Sequence, residues 1–453
     1  MRAKRGCAAS DPSTTPDVLI ACLPAGATGL LVALSGGADS CALLAAAALL
    51  RDERADLPLR AVHIDHGLQP AAASFRDTCI AVCERLRVPL TVIAVEIRLT
   101  AGSSLEEAAR DARYAALEAQ LAPGECLLTA HHALDQAETL LLQALRGAGP
   151  KGLSAMPACR EFGAGWHVRP LLDVPRRDLL AFGAAFAADH REDPMNEDLR
   201  FDRTYLRRRV WPGIEERWPG AHIALSRAAR HAAEAQELSD DTASVDLVRL
   251  RDGEALSVPA LRALPPLRRF NAVRLWLRES GAKAPSTARL EEAVRQALDA
   301  KEDHMPAIAW GEYTLRRYRR RLFLTPTSSV RLQEVLAWRI GCDSPLSLGS
   351  GLGCLAWTAH KGGIDAKFKD LALQVRSRGG GETLKIAAGA KTHTVQHLCQ
   401  DLGVLPWMRD ALPLLFTGGE LVAVADLWLE TRWCAAPDTF GFVPVWEGAP
   451  IIT

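Results

Sequence analysis

Short apolar runs alternate with Ala- and Leu-rich segments through the first third of the chain, and this alternation restricts the fold more than any other feature. Leu30-Leu31-Val32-Ala33-Leu34 is apolar throughout and ends in Ser-Gly-Gly, so it reads as a strand buried on both faces. A helix over Cys41 to Leu50 follows, then a strand from Arg60 to Asp65 and a helix from Ala72 to Leu86. Pro89 to Val95 is a third strand, Ser104 to Ala119 a helix, Cys126 to Ala130 a fourth strand, and Asp135 to Leu145 a helix. The pattern predicts the α/β class: an open parallel sheet with helices on both faces. Ligands in such sheets bind beyond the carboxyl ends of the strands.

The later sequence changes character. Arg169 to Trp218 is rich in arginine and punctuated by proline, and a mainly helical stretch runs from Ile223 to Ala300. Leu315 to Leu322 reads as one basic strand. Beyond a Ser/Gly-rich stretch at Ser344 to Gly353, strands at Leu371–Val375, Thr383–Ile386 and Leu421–Asp426 surround a helix near Thr394–Leu402, an α+β pattern. A chain of 453 residues exceeds what one core serves. The expected parts are residues 1–218, 219–335 and 336–453.

Composition narrows the function classes. The 54 Lys and Arg balance 54 Asp and Glu, so any nucleic-acid contact must come from local patches. Eleven cysteines contain no Cys-x-x-Cys pair, which speaks against a zinc knuckle or a dithiol redox site. Reduced thiols, no apolar segment behind the basic N-terminus and no run long enough to span a bilayer lead us to expect a cytoplasmic protein without a membrane partner.

Four motifs carry chemistry. In Ser35-Gly36-Gly37-Ala38-Asp39-Ser40, glycines let the backbone approach a phosphate, and the following helix offers N–H groups and its positive end. Asp39 could hold magnesium or orient the loop; the alternative is a ligand-free turn. Val62-His63-Ile64-Asp65-His66-Gly67-Leu68 ends the second strand, where a nucleoside would lie. His63 is a candidate nucleotide contact although strand alternation would also pack it inward, and His66 and Gly67 sit in the turn. Arg110 and Arg113 share a helix face and could reach one polyanion, but spacing alone favours local pairing with Glu106 and Glu107. In Thr129 to Thr139, His131 and His132 end a strand, and Asp135 and Glu138 follow at a spacing of three. That grouping suits adenylation, with His132 and Asp135 as catalytic candidates. It also suits a helix cap at Asp135 completed by Glu138.

Together these motifs resemble the tRNA-isoleucine lysidine synthetase family of the ATP pyrophosphatase, or PP-loop, superfamily. Arg146-Gly147-Ala148-Gly149-Pro150-Lys151-Gly152-Leu153, Asp193-Pro194-Met195-Asn196 and Leu405-Pro406-Trp407 extend the likeness over nearly the whole chain. The resemblance implies that ATP adenylates the C2 carbonyl oxygen of the wobble cytidine in a CAU-anticodon isoleucine tRNA. Free lysine then displaces AMP. It implies Ser35 to Ser40 and His63 at ATP, Asp39 and Asp135 on Mg2+, Arg110 or Arg113 on phosphate or cytidine, and Glu138 on the lysine ammonium. Arg203, Arg207, Arg208, Arg316, Arg317, Arg376 and Arg378 would contact the tRNA, and a homodimer is left open. Leu134 departs from the family by replacing an acid. The rival readings are a tRNA thiolase of the same superfamily and a tRNA-binding protein with an inactive nucleotide site.

Overall fold

The computed structural model describes residues 14–65, 72–97, 105–185, 198–301, 304–328, 331–450 and 452. The chain forms two compact units, Met1–Asp241 and Thr242–Thr453.

The first unit opens with α1 (Thr14–Cys22) and β1 (Gly29–Ala33), then alternates α2 (Ala38–Glu53), β2 (Leu59–Asp65), α3 (Ala72–Leu86), β3 (Leu90–Ala94), α4 (Leu105–Gln120), β4 (Glu125–Leu128) and α5 (Ala133–Leu145). A short α6 (Pro150–Leu153) leads to a hairpin of β5 (Cys159–Phe162) and β6 (Gly165–Val168), followed by α7 (Arg176–Ala185). The sheet order is β3-β2-β1-β4-β6-β5, parallel throughout except for the edge strand β5. Pleating sends alternate residues to opposite faces. Leu30 and Val32 join the core beneath α2 and α3, while Leu31 joins Leu117 and Leu121 on the α4 side. Each such buried leucine contributes roughly 2 kcal/mol.

The β5–β6 hairpin has no counterpart in the sequence reading. Its strands are four residues long and β5 is largely exposed, so neither carries an apolar run. Gly165 lets β6 lie against β4: a Cβ there would stand 2.2 Å from the Glu125 carbonyl oxygen. The topology matters more. From β1 the sheet grows one way through β2 and β3 and the other way through β4, so the carboxyl ends of β1 and β4 flank the switch point, where such sheets bind ligands.

After α8 (Asp202–Tyr205), a π-helical turn over Leu206–Val210 and α9 (Trp211–Arg217), the long α10 (Ala221–Leu250) carries the chain across the division between the units. The second unit continues with β7 (Arg251–Asp252), β8 (Ala255–Ser257), α11 (Val258–Ala263), α12 (Pro266–Glu279) and α13 (Thr287–Asp299). Strands β9 (Ala307–Trp310), β10 (Tyr313–Tyr318) and β11 (Arg321–Pro326) complete a five-stranded sheet. The single basic strand expected at Leu315 to Leu322 is thus a hairpin. Arg319, at φ 53°, makes the turn that sends β11 back antiparallel to β10.

Beyond it come β12 (Leu336–Arg339), β13 (Leu346–Ser347), β14 (Cys354–Lys361), β15 (Ala372–Arg376), β16 (Thr383–Leu384), β17 (His393–Thr394), α14 (Val395–Leu402), β18 (Leu414–Thr417), β19 (Glu420–Val424), β20 (Trp428–Leu429) and β21 (Phe440–Glu447). These pair as antiparallel sheets β12-β15-β18-β19-β20, β13-β14-β21 and β16-β17. The expected α14 forms. The longest pairing, β14 with β21 over eight residues, goes unsignalled in the sequence: β14 is polar at one end and β21 contains Pro444.

Candidate active site at the β1/β4 switch point

The loop after β1 turns at Gly36, φ +83°, where a Cβ would meet the Phe75 carbonyl oxygen at 3.0 Å. Ser40 Oγ donates to the Gly37 carbonyl at 3.0 Å and accepts from the Ser35 N–H at 3.2 Å, which ties the loop to the first turn of α2. Gly37 is the N-cap and no side chain caps the helix. The first-turn N–H groups are left to an anion.

Across the switch point, His132 caps α5. The Asp135 N–H donates to His132 Nδ1 at 3.4 Å, and the His132 N–H donates to Asp135 Oδ2 at 3.1 Å. The expected cap therefore lies three residues earlier than the sequence reading put it: Asp135 is the returning partner, and Glu138 is free of capping. Burial lowers the His132 pKa, although Asp135 and Asp39 pull the other way. Asp39 Oδ2 lies 3.8 Å from His132 Nε2, so the imidazole stands between the two carboxylates proposed for a cation. Asp39 also accepts from Arg176 Nε at 3.2 Å. Arg176 is 137 residues away in sequence, and no spacing rule could have found it.

Glu138, 0 % exposed, is held by two arginines. Arg207 donates through Nε to Oε1 at 2.7 Å and through Nη2 to Oε2 at 2.8 Å, and Nη2 also reaches Asp135 Oδ1 at 3.0 Å. Arg203 Nε reaches Glu138 Oε2 at 3.3 Å, and its Nη2 donates to Thr139 Oγ1 at 3.1 Å. Burial alone would raise the Asp135 pKa, but His132, Arg203, His131 and Arg207 outweigh it and hold the carboxyl below its ordinary value. Burial alone would lower Arg207, but its bond to Glu138 and the neighbouring acids hold it raised. Arg203 and Arg207, expected on an RNA-facing surface, thus form the wall of this cleft, while Arg208 is exposed.

Arg110 and Arg113 flank one ring: their guanidinium carbons lie 5.2 and 5.4 Å from the Tyr114 centroid. The side chains of Glu106 and Glu107 lie outside the described residues, as do His66, Gly67, Met195 and Asn196. His63 does not line the cleft. It is buried, with Nδ1 2.9 Å from the Leu34 carbonyl oxygen and 3.4 Å from Cys79 Sγ, so the inward packing wins. Cys41 and Cys126 are fully buried, and burial pushes the Cys126 thiol up to about 12.

Residues 15–214 match the PP-loop domain, 256–323 the TilS substrate binding domain and 373–446 the TilS substrate C-terminal domain. The tRNA(Ile)-lysidine synthase of Alkalilimnicola ehrlichii is 42% identical over 412 residues, 91% of this chain and 92% of its own. That of Methylococcus capsulatus is 39% identical, covering 92% of this chain and 95% of its own. The chain belongs to the tRNA(Ile)-lysidine synthase family.

The family's remaining expected contacts fall in the second unit. Arg316 lies 5.4 Å from the centroid of Trp407 and donates through Nε to Thr325 Oγ1 at 3.0 Å. Arg376 lies 4.0 Å from the Phe416 centroid, and Arg378 pairs with Asp410 at 3.3 Å. Arg317 cannot serve as a surface contact. It is 2 % exposed, and its Nη1 donates to the carbonyls of Ala297 and Ala300 at 3.0 and 2.6 Å, closing the C-terminus of α13.

Proposed function

We propose that this chain ligates lysine to C2 of the wobble cytidine in CAU-anticodon isoleucine tRNA at the expense of ATP. What carries the reading is the switch point, which sets a phosphate-ready helix N-terminus beside an acid–histidine–arginine cluster in a chain that matches the family nearly end to end. In the first step the cytidine C2 oxygen bonds to the α-phosphorus and pyrophosphate leaves. In the second, the lysine ε-amine attacks C2, and the C2–O bond breaks to release AMP. C2 is a poor electrophile until its oxygen becomes a leaving group, which is why ATP is required.

The chain's own groups divide the work. The α2 N-terminus and Ser35 to Ser40 hold the leaving pyrophosphate. Arg110 and Arg113 hold phosphate or the cytidine. Glu138 receives the lysine ammonium by exchanging one of its arginine bonds, and His132 orients Asp135 through their reciprocal hydrogen bonds. Among the described residues no three His, Cys, Asp and Glu side chains form a metal cage. Two carboxylates completed by phosphates and water are the donor set magnesium accepts, and Asp39 and Asp135 would hold it to screen the phosphate charge. Leu134 removes one acid of the family pattern, but Asp135 keeps its bonds to His132 and Arg207.

The parts 1–218, 219–335 and 336–453 act as catalytic, middle RNA-binding and C-terminal RNA-binding regions; each matched family segment falls inside one of them. Arg208, Arg316, Arg376 and Arg378 contact the tRNA. We place the protein in the cytoplasm; among the described residues no helix is long and apolar enough to cross a membrane.

Incubation with isoleucine tRNA transcript, ATP and labelled lysine should give tRNA-bound label, one pyrophosphate and one AMP per lysine. Asp39→Asn should abolish pyrophosphate release. Intact tRNA binding with no incorporation by the natural chain would instead indicate an inactive nucleotide site.

A further inference from the structure

A file of polar side chains runs behind the cleft from the end of β6 to the end of β4, and a group that can only donate stands at its start. Arg169, 4 % exposed, directs Nη2 at His167 Nδ1 across 3.2 Å. A guanidinium has no acceptor, so His167 Nδ1 accepts and the neutral ring carries its proton on Nε2. His167 is fully buried and places Nε2 2.9 Å from Thr129 Oγ1. Having accepted there, the hydroxyl has its one proton left for His131 Nδ1, also at 2.9 Å. The proton of His131 therefore sits on Nε2. The opposite polarity would set an Nδ1–H of His167 against a guanidinium N–H, two donors face to face with no acceptor between them.

Burial keeps both rings neutral, pulling His131 down to about 3 and His167 to about 2. The His131 ring is half-buried, and among the described residues no hydrogen bond engages its Nε2. Asp135, Arg169, Arg203 and Arg113 are the charges that act on it, three of them from the cleft described above.

We propose that Arg169, His167 and Thr129 are positioning residues that lock His131 as an Nε2–H donor to an oxygen of the bound substrate. This rests on the ligase reading of the same cleft. A ring locked in this form has no lone pair at Nε2, so it cannot take the proton of the attacking amine. It can stabilise negative charge on an oxygen acceptor, either the pyrimidine C2 oxygen or a phosphate oxygen.

The first test needs neither substrate nor variant activity. Long-range 1H–15N correlation on 15N-histidine-labelled free protein should show His131, assigned by its loss in His131→Gln, with a bare Nδ1 and a protonated Nε2. Thr129→Val should abolish that fixed pattern. An Nδ1–H form in the natural chain, or a pattern indifferent to Thr129→Val, overturns the proposal. In turnover, His131→Gln, which keeps an N–H near the Nε2 position, should stay within about tenfold of the natural chain. His131→Leu should fall on the order of 100-fold. Equal turnover by His131→Leu overturns the donor role. Weaker ATP affinity in His131→Leu identifies a phosphate oxygen; unchanged ATP affinity with slower pyrophosphate release identifies the cytidine oxygen. Failure of the natural chain to form lysidine counts against the ligase reading alone, because the tautomer is read in the free protein.

Discussion

Arginine is used in opposite ways at the switch point of the first unit and over two aromatic rings of the second. At the switch point of the first, Arg176, Arg203 and Arg207 are each answered by a carboxylate, and Glu138 is fully enclosed by two of them. In the second, Arg316 and Arg376 lie over Trp407 and Phe416 with no carboxylate partner among the described residues. An arginine bonded to an acid spends its charge on geometry: it fixes where the acid points. One seated on a ring is oriented by the ring's electrons yet keeps its full charge for a phosphate. Equal numbers of acids and bases over the whole chain thus conceal a site whose arginines are neutralised by its own acids and two ring-seated arginines whose charge stays available.

The contrast breaks most severely at Arg207. Arg207→Ala leaves Glu138 buried with only Arg203, and losing one partner of a buried pair costs about 3–5 kcal/mol. Urea unfolding should record that loss, and lysine incorporation should fall at least about 100-fold. Preserved stability would mean that the pairing is not what holds Glu138. Arg317→Met tests a buried arginine of the second unit. Stripping the α13 carbonyls of their donor should cost about 2–3 kcal/mol, with tRNA affinity per folded molecule and its salt dependence unchanged.

The neutral histidines of the first unit give a pH signature. His131 and His167 have folded pKa values of about 3 and about 2, against 6.5 unfolded, so between those limits the unfolded chain binds more protons. Their contribution is fully present above pH 6.5 and is lost as pH falls. From pH 7 to 5 the loss is about 2 kcal/mol for His167, and His167→Gln should flatten the urea midpoint against pH by that amount. The smallest effect is expected at a ring-seated cation. Arg316→Ala should weaken tRNA binding several-fold and reduce the slope of log affinity against log salt by about one, leaving stability nearly unchanged. An unaltered slope would place Arg316 away from any phosphate.

Much of the fold was legible because its signals are local. The strands β1 and β4 follow from apolar runs buried on both faces, and α14 from its amphipathic period. The β5–β6 hairpin and the β14–β21 pair were not legible, because their strands are short, half-exposed or interrupted by proline. The site divides along the same line. Ser35 to Ser40, His132, Asp135 and Glu138 stand in contiguous motifs whose chemistry can be read in order. His63 could be read either way, and only its 2.9 Å bond to the Leu34 carbonyl decided it.

By itself, then, the sequence determined a parallel α/β unit with a phosphate loop, an acid–histidine cluster, and arginines in the right number. Which arginine meets which partner was settled by tertiary structure. Arg176 with Asp39 and Arg207 with Glu138 are far apart in sequence and depend on how the elements that carry them pack and on which way each side chain leaves its backbone. Charge and hydrogen-bond polarity act over a few ångströms in space, and separation along the chain carries no record of that distance.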